Sequence, residues 1–221
     1  MKIFKILSQV YTSVLWGALV IPLNVSSPQW HSMTFAKIKP NKVSFTEEGL
    51  LVEVEQSASP LFYRLTTPIK VRGFTAEGNL TGLPEINRLK EGTEGNDDFS
   101  LRLGFVETAA NPPSWFDKIF MPDWITDLLE FFPKQGIKKV RFFTLSQIKN
   151  PGTFRIHPKN DLMEETVILK KEQPGKFSFD YPLSESIPAS AVWIQTDGDD
   201  SKSTFTLKLS RLVLNTEEPV H

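Results

Sequence analysis

The chain has 221 residues, with 25 Lys and Arg against 26 Asp and Glu, a formal net charge of -1 and no cysteine. That length fits one domain with a sizeable core. The balanced charge supplies no basic field for nucleic acid, and the missing thiols exclude disulfides, thiolate metal sites, cysteine nucleophiles and a lipid anchor on cysteine.

Lys2 and Lys5 precede an apolar run over 10–23, shorter than the roughly 20 residues of a membrane span. Ser26 and Ser27 follow it. The order reads as an export signal over 1–27, cut near these serines, although Asn24 and Val25 are not the small residues expected upstream of a cut. An uncleaved anchor or a buried helix is the alternative. An exported chain without disulfides points to the bacterial envelope, periplasmic or secreted.

Residues 28–216 then read as one domain of β segments punctuated by Pro, Gly, Asn and Asp. Strands are expected over 30–38, 50–56, 61–66, 69–80, 98–108, 139–148, 165–170, 176–181, 191–197 and 203–215. Phe99, Leu101, Leu103 and Phe105 alternate with Ser100, Arg102 and Gly104, as in a half-buried strand. Pro68 marks a kink or an edge crossing. Near Ser210 the alternation slips, which predicts a bulge or a strand buried on both faces. The pattern fits an antiparallel two-sheet β-sandwich, with a closed barrel as the alternative.

One stretch, 114–132, breaks the β pattern. Ser114 and Asp117 resemble a capping box. After Pro122, Asp123 is placed to cap a turn in which Trp124, Ile125, Leu128, Leu129 and Phe132 recur at helical spacing. Two short helices inserted between strands are expected. Trp115, Phe116, Phe120 and Trp124 make this insertion a candidate surface for a protein partner or a membrane interface, against the plainer reading of lid packing. Residues 217–221 read as a disordered tail.

Three stretches share an order and spacing: Ser57-Ala58-Ser59-Pro60-Leu61; Asn96-Asp97-Asp98-Phe99 followed by Arg102; and Ala191-Val192-Trp193-Ile194-Gln195-Thr196-Asp197-Gly198-Asp199-Asp200 before the last strand. Together they resemble the bacterial family of secreted proteins called domain of unknown function 3047, over 30–214. The resemblance implies export and a jelly-roll-like or galactose-binding-like sandwich, and no particular chemistry. Relatives carry an aromatic Leu-Asn-Tyr-Val-Trp-like strand where this chain has Lys139-Val140-Arg141-Phe142-Phe143-Thr144-Leu145.

The candidate ligand-binding residues are Arg64, Asp98, Arg102, Trp193 and Gln195. If their strands adjoin, a ring, an amide and guanidinium forks would line a groove suited to a glycan. The plainer reading places Trp193 in the core and pairs the arginines with acids. Asp97 and Asp98, neighbours on an extended chain, are expected to point apart. Asp197, Asp199 and Asp200 in a Gly-containing turn are a candidate structural calcium site, without the distal glutamate of an EF-hand. No cofactor is implied. His31, His157 and His221 carry no local signature, and the nucleophile elbow and phosphate loop are missing. The expected function is therefore a non-catalytic exported sandwich that binds an envelope or extracellular glycan. The alternatives are an envelope scaffold docking through the insertion, and a glycan hydrolase with paired carboxylates.

Overall fold

The computed structural model describes residues 17–87, 90–93, 95–114, 123–132, 134–157 and 160–217. Its strands are β1 (Gly17–Val20), β2 (Trp30–Ser32), β3 (Lys42–Thr46), β4 (Gly49–Glu55), β5 (Ala58–Thr81), β6 (Arg102–Ala109), β7 (Gly136–Ser146), β8 (Phe154–His157), β9 (Asn160–Lys170), β10 (Gly175–Asp197) and β11 (Thr204–Thr216), with helix α1 (Asp123–Glu130) between β6 and β7.

The strand order is β3-β4-β11-β5-β10-β6-β7-β9-β8, with β1 added on β11 and β2 on β5. Two strands belong to both layers. β5 has 24 residues and β10 has 23, several times an ordinary strand length, and they pair antiparallel. Their ladder breaks between Pro182 and Ile187 and again between Ala189 and Ala191, opposite the stretch of β5 that holds Pro68. Bulges bend strands and increase twist, so both chains turn from one sheet into the other. The first layer is β2, the start of β5, the end of β10, β6, β7, β9 and β8. The second is the start of β10, the end of β5, β11, β4 and β3, with β1 at its side. Between them Leu61, Leu103, Phe105 and Ile194 of the first layer pack in one cluster with Leu50, Val52, Phe74 and Leu207 of the second. The molecule is thus a mainly β two-layer sandwich, antiparallel except for the parallel pair β7 and β9.

Several expectations meet the structure directly. The 61–66 and 69–80 segments are one strand with a bend at Pro68, and 176–181 and 191–197 are likewise one strand. The slip near Ser210 is a bulge, a register shift between Leu209 and Arg211. The 30–38 segment shortens to three residues, while β1, β3 and β8 were not expected. Phe99 leaves the face shared by Leu101, Leu103 and Phe105. Its carbonyl accepts the Asp197 N–H outside the β6 ladder, and its ring turns beneath Arg102 instead.

Helix α1 matches the second predicted helix. Ile125, Leu128, Leu129 and Phe132 are buried, and Leu128 and Phe132 pack with Phe62, Phe142 and Trp193 on the outer face of the first layer. Trp115, Phe116, Phe120 and the side chain of Trp124 lie outside the described residues. Among the described residues no helix is long and apolar enough to cross a membrane.

At the N-terminus, Gly17–Val20 pairs with Val213–Thr216 of β11, and the Ile21 N–H donates to the Leu212 carbonyl at 2.9 Å. Ile21 and Leu23 are core residues, and the Pro22 carbonyl accepts the Trp30 indole N–H at 3.1 Å. The boundary expected after residue 27 would pass C-terminal to all of these contacts. Residues 1–16 lie outside the described residues. In the expected tail, Glu217 is tied down by its N–H to the Lys70 carbonyl and by an ion pair with Lys70, while 218–221 lie outside.

Candidate functional site

On the outer face of the first layer the β pleat aligns a row of side chains. Antiparallel register sets Trp193 opposite Gly104 and Gln195 opposite Arg102, and Gly104 opposite Phe142 and Arg102 opposite Thr144. Gly104 makes room for the rings: a Cβ there would sit 2.8 Å from the Phe142 ring and 3.0 Å from the Trp193 Cβ. Phe62 and Phe142 both meet Trp193 edge to face, with centroids 4.5 and 5.0 Å away.

A polar chain continues from the aromatic row. The Trp193 indole N–H donates to Gln195 Oε1 at 2.8 Å. Gln195 Nε2 donates to both carboxylate oxygens of Asp197 at 2.8 and 2.9 Å, and Arg102 Nη1 donates to Asp197 Oδ2 at 2.7 Å. Arg102 Nη2 donates to the Asp97 carbonyl at 3.1 Å, lies 3.1 Å from Asp97 Oδ1 and is 3.6 Å from Glu165 Oε1. Phe99 lies under the guanidinium at 4.1 Å. From β8, Arg155 donates through Nε to Glu165 Oε2, through Nη1 to the Gly92 carbonyl and through Nη2 to Asp97 Oδ1 at 2.8 Å, and His157 Nε2 donates to Asp97 Oδ2 at 3.2 Å.

Burial governs the electrostatics of this knot. Desolvation pushes the Asp197 carboxyl up to about 7 against the opposing pull of Arg102 and the Gln195 hydrogen bonds. Desolvation also acts to raise Asp97, but Arg102, His157 and Arg155 overcome it and hold that carboxyl well below the usual range. For Arg102, burial favours loss of the proton, and Glu165, Asp97 and Asp197 more than reverse it.

The sequence candidates divide as follows. Arg102, Trp193 and Gln195 do come together, but in the interior, with Trp193 only 1% exposed. Arg64 is exposed and stands 5.8 Å from the centre of the Phe132 ring, apart from the knot. Asp98 points away from Asp97, as expected. It accepts the Ser201 N–H at 2.7 Å and the Ser201 hydroxyl at 2.5 Å, pinning the 198–201 turn. Asp197 faces the knot, whereas Asp200 Oδ2 accepts the Asp97 N–H at 3.3 Å and burial raises the Asp199 carboxyl, followed by repulsion from Asp98 and Asp200. The knot's Glu165, Arg155 and His157 were not among the candidates. The signal was present: Phe154-Arg155-Ile156-His157 alternates, and reading it as a strand puts Arg155 and His157 on one face.

Among the described residues one cluster has metal-binding spacing. Asp97, His157 and Glu165 each place a ligand atom within 4.8 Å of the others. Arg155 bonds both carboxylates and Arg102 faces them, so guanidinium groups already neutralise the charge a divalent cation would address. The donors fit an ion-pair knot better than a metal centre.

The opposite outer face, on the second layer, is different. An open groove of about 550 Å³ runs over β5, β11, β4 and the β3–β4 turn, lined by Thr46, Glu47, Glu48, Leu51, Asn79, Thr81, Thr206 and Lys208. Cross-strand register sets Thr206 against Thr81 and Lys208 against Asn79 and Leu51. Lys208 pairs with Glu48, and Asn79 and Thr81 touch at 3.5 Å.

No family model and no curated protein matches the sequence. Among solved structures the chain is similar to a family 29 carbohydrate-binding module complexed with cellulohexaose, at 7% identity and a TM-score of 0.41, covering 91% of this chain and 92% of that one. It is similar to a family 15 xylan-binding module at 6% identity and a TM-score of 0.40, covering 92% and 98%. A transglycosylase without ligand aligns at 9% identity and a TM-score of 0.34, covering 92% and 86%. These are loose likenesses of β architecture, and the functional reading below rests on this chain's own residues.

Proposed function

We propose that the protein is an exported, non-catalytic β-sandwich that binds an envelope or extracellular glycan in the groove on the outer face of its second layer. The lining of that groove carries the reading. Thr46, Thr81, Thr206 and Asn79 line an open trough of about 550 Å³ beside the half-buried Leu51, with the Thr46 hydroxyl donating to the Gly49 carbonyl at 2.8 Å. Hydroxyl and amide groups both donate and accept, as sugar hydroxyls do, and an open trough on a sheet face leaves room for a chain of sugars. A small apolar ligand would need enclosing apolar walls instead. The non-catalytic part is supported by the knot: Asp97, Asp197 and Glu165 are each engaged by buried arginine, whereas sugar hydrolysis takes two carboxyls about 5–9 Å apart across one bond. Export is supported by Lys2 and Lys5 ahead of the apolar run.

The test uses the full chain in calorimetry and affinity gels against cello-, manno- and xylo-oligosaccharides, chitin fragments and peptidoglycan. Saturable binding to at least one of them, weakened by Asn79→Ala, is expected. Uniform lack of binding across the panel sinks the reading, as does release of new reducing ends.

A further inference from the structure

The apolar run of the N-terminus changes character along its length. Up to Trp16 it carries no period of two. From Leu19 onward it alternates: Leu19, Ile21 and Leu23 on one side, Val20, Pro22 and Asn24 on the other. The fold follows that alternation. Leu19 is half-buried and packs against the core, Ile21 and Leu23 are inside it, and Val20 is 64% exposed. A signal sequence works as a continuous apolar helix, whereas this half is extended, strand β1 followed by 21–23, with a period of two.

Taking residues 17–27 away would leave several groups without partners. The 213–216 edge of β11 would lose its ladder, the Leu212 carbonyl its donor, and the buried Trp30 indole its acceptor on Pro22. Ile21 and Leu23 would leave a void beside Leu212 and Leu214, which belong to the same cluster. Each unpaired buried group and each vacated side-chain volume costs stability.

We infer that residues 17–23 are a permanent part of the folded protein, and that any processing cut falls on the N-terminal side of Gly17. The cut is a hydrolysis of one peptide bond, in which water supplies the hydroxyl of the new carboxyl group and the proton of the new amine. The location of the cut rests on the export reading; retention of the strand does not.

Two measurements separate these claims. The first is the intact mass of the protein recovered from a bacterial host that exports it. A mass beginning after Met1 and no later than Gly17 is expected. An uncut chain keeps the strand but defeats the export reading. A mass beginning anywhere after Gly17, for a protein with native melting behaviour, overturns the inference. The second is thermal melting of full-length variants. Ile21→Ala with Leu23→Ala should lower the Tm by about 10 °C or more, while Val25→Ala, at a site 53% exposed, should leave it unchanged. If the double variant does not fold, Ile21→Val supplies the milder comparison, with a drop of roughly 2–5 °C. An unchanged Tm in all of these overturns the inference, because it means that the segment contributes nothing to the fold.

Discussion

Both outer faces of the sandwich carry polar residues, and they differ in what those residues bond to. On the first layer Arg102, Asp97, Asp197, Gln195 and Glu165 pair with one another above the Phe99 ring and beside the packing of α1. On the second layer Asn79, Thr81 and Thr206 face an open trough. Residue type does not separate the two faces, since an arginine, an amide and carboxylates are as suited to a sugar as threonines are. Cover separates them. Where a loop and a helix exclude water, polar groups must pair internally and become structure; where nothing covers them, they remain available to a ligand.

The comparison breaks first at Arg102. Replacing it with Met leaves buried Asp197 without its cation and Asp97 and Glu165 with Arg155 alone, and removing one partner of a buried ionic group costs about 3–5 kcal/mol. Urea unfolding should register that loss. Arg102→Lys should recover only part of it, because an ammonium does not reproduce the fork that reaches Asp197 and Asp97 together. A variant within 1 kcal/mol of the parent would mean that the knot is not what holds this face.

The pH dependence of stability sharpens the same point. Asp197 binds its proton more tightly folded than unfolded, since burial raises it from 3.8 to about 7. Its contribution is therefore complete below about pH 4 and is lost as pH rises toward 7, up to about 4 kcal/mol in all. Asp97 acts oppositely: held low in the fold, it contributes above pH 4 and loses that contribution as the pH falls further. Unfolding measured from pH 1.5 to pH 8 should show the two limbs. Asp197→Asn should flatten the upper one and Asp97→Asn the lower one, and identical profiles for all three proteins would contradict the assignment.

A smaller effect is expected at Gly104, which admits the Phe142 and Trp193 rings side by side. Gly104→Ala places a methyl carbon 2.8 Å from the Phe142 ring, an overpacking that costs about 1–3 kcal/mol in denaturant midpoints. Ser100→Ala on the same pleat tests whether the cost belongs to the rings rather than to the strand.

The fold was largely legible because alternation reports burial on one face of a strand. It carried β4, β6 and β11 with its bulge. It failed where a strand serves two layers, because Pro68 and the 182–190 stretch look like turns although hydrogen bonding resumes beyond them. It failed again at β8, where four residues are too few to stand out. The knot was half legible. Arg102, Gln195 and Trp193 share a pleat that the sequence displays. The alternation of 154–157 puts Arg155 and His157 on one face, but that they and Glu165 reach the knot follows from the parallel pairing of β9 with β7, a long-range choice that no local pattern records. The groove was not legible at all, since threonines and an asparagine facing outward on alternate positions look like any solvated sheet face.

The weakest expected effect on stability lies in that groove and is the most informative about function. Thr206 and Asn79 lie on the neighbouring strands β11 and β5, line the groove and are only half-buried. Thr206→Ala with Asn79→Ala should therefore alter unfolding free energy by no more than about 0.5 kcal/mol per site. If a glycan lies across these strands, losing the hydroxyl and the amide removes hydrogen bonds worth about 1 kcal/mol each, and affinity should fall roughly tenfold or more. The pattern to look for is stability kept and binding lost, the reverse of what Arg102→Met should give once the residual folded fraction is accounted for. Equal binding by the groove variant and the parent would move the glycan elsewhere and leave this face an ordinary solvated sheet.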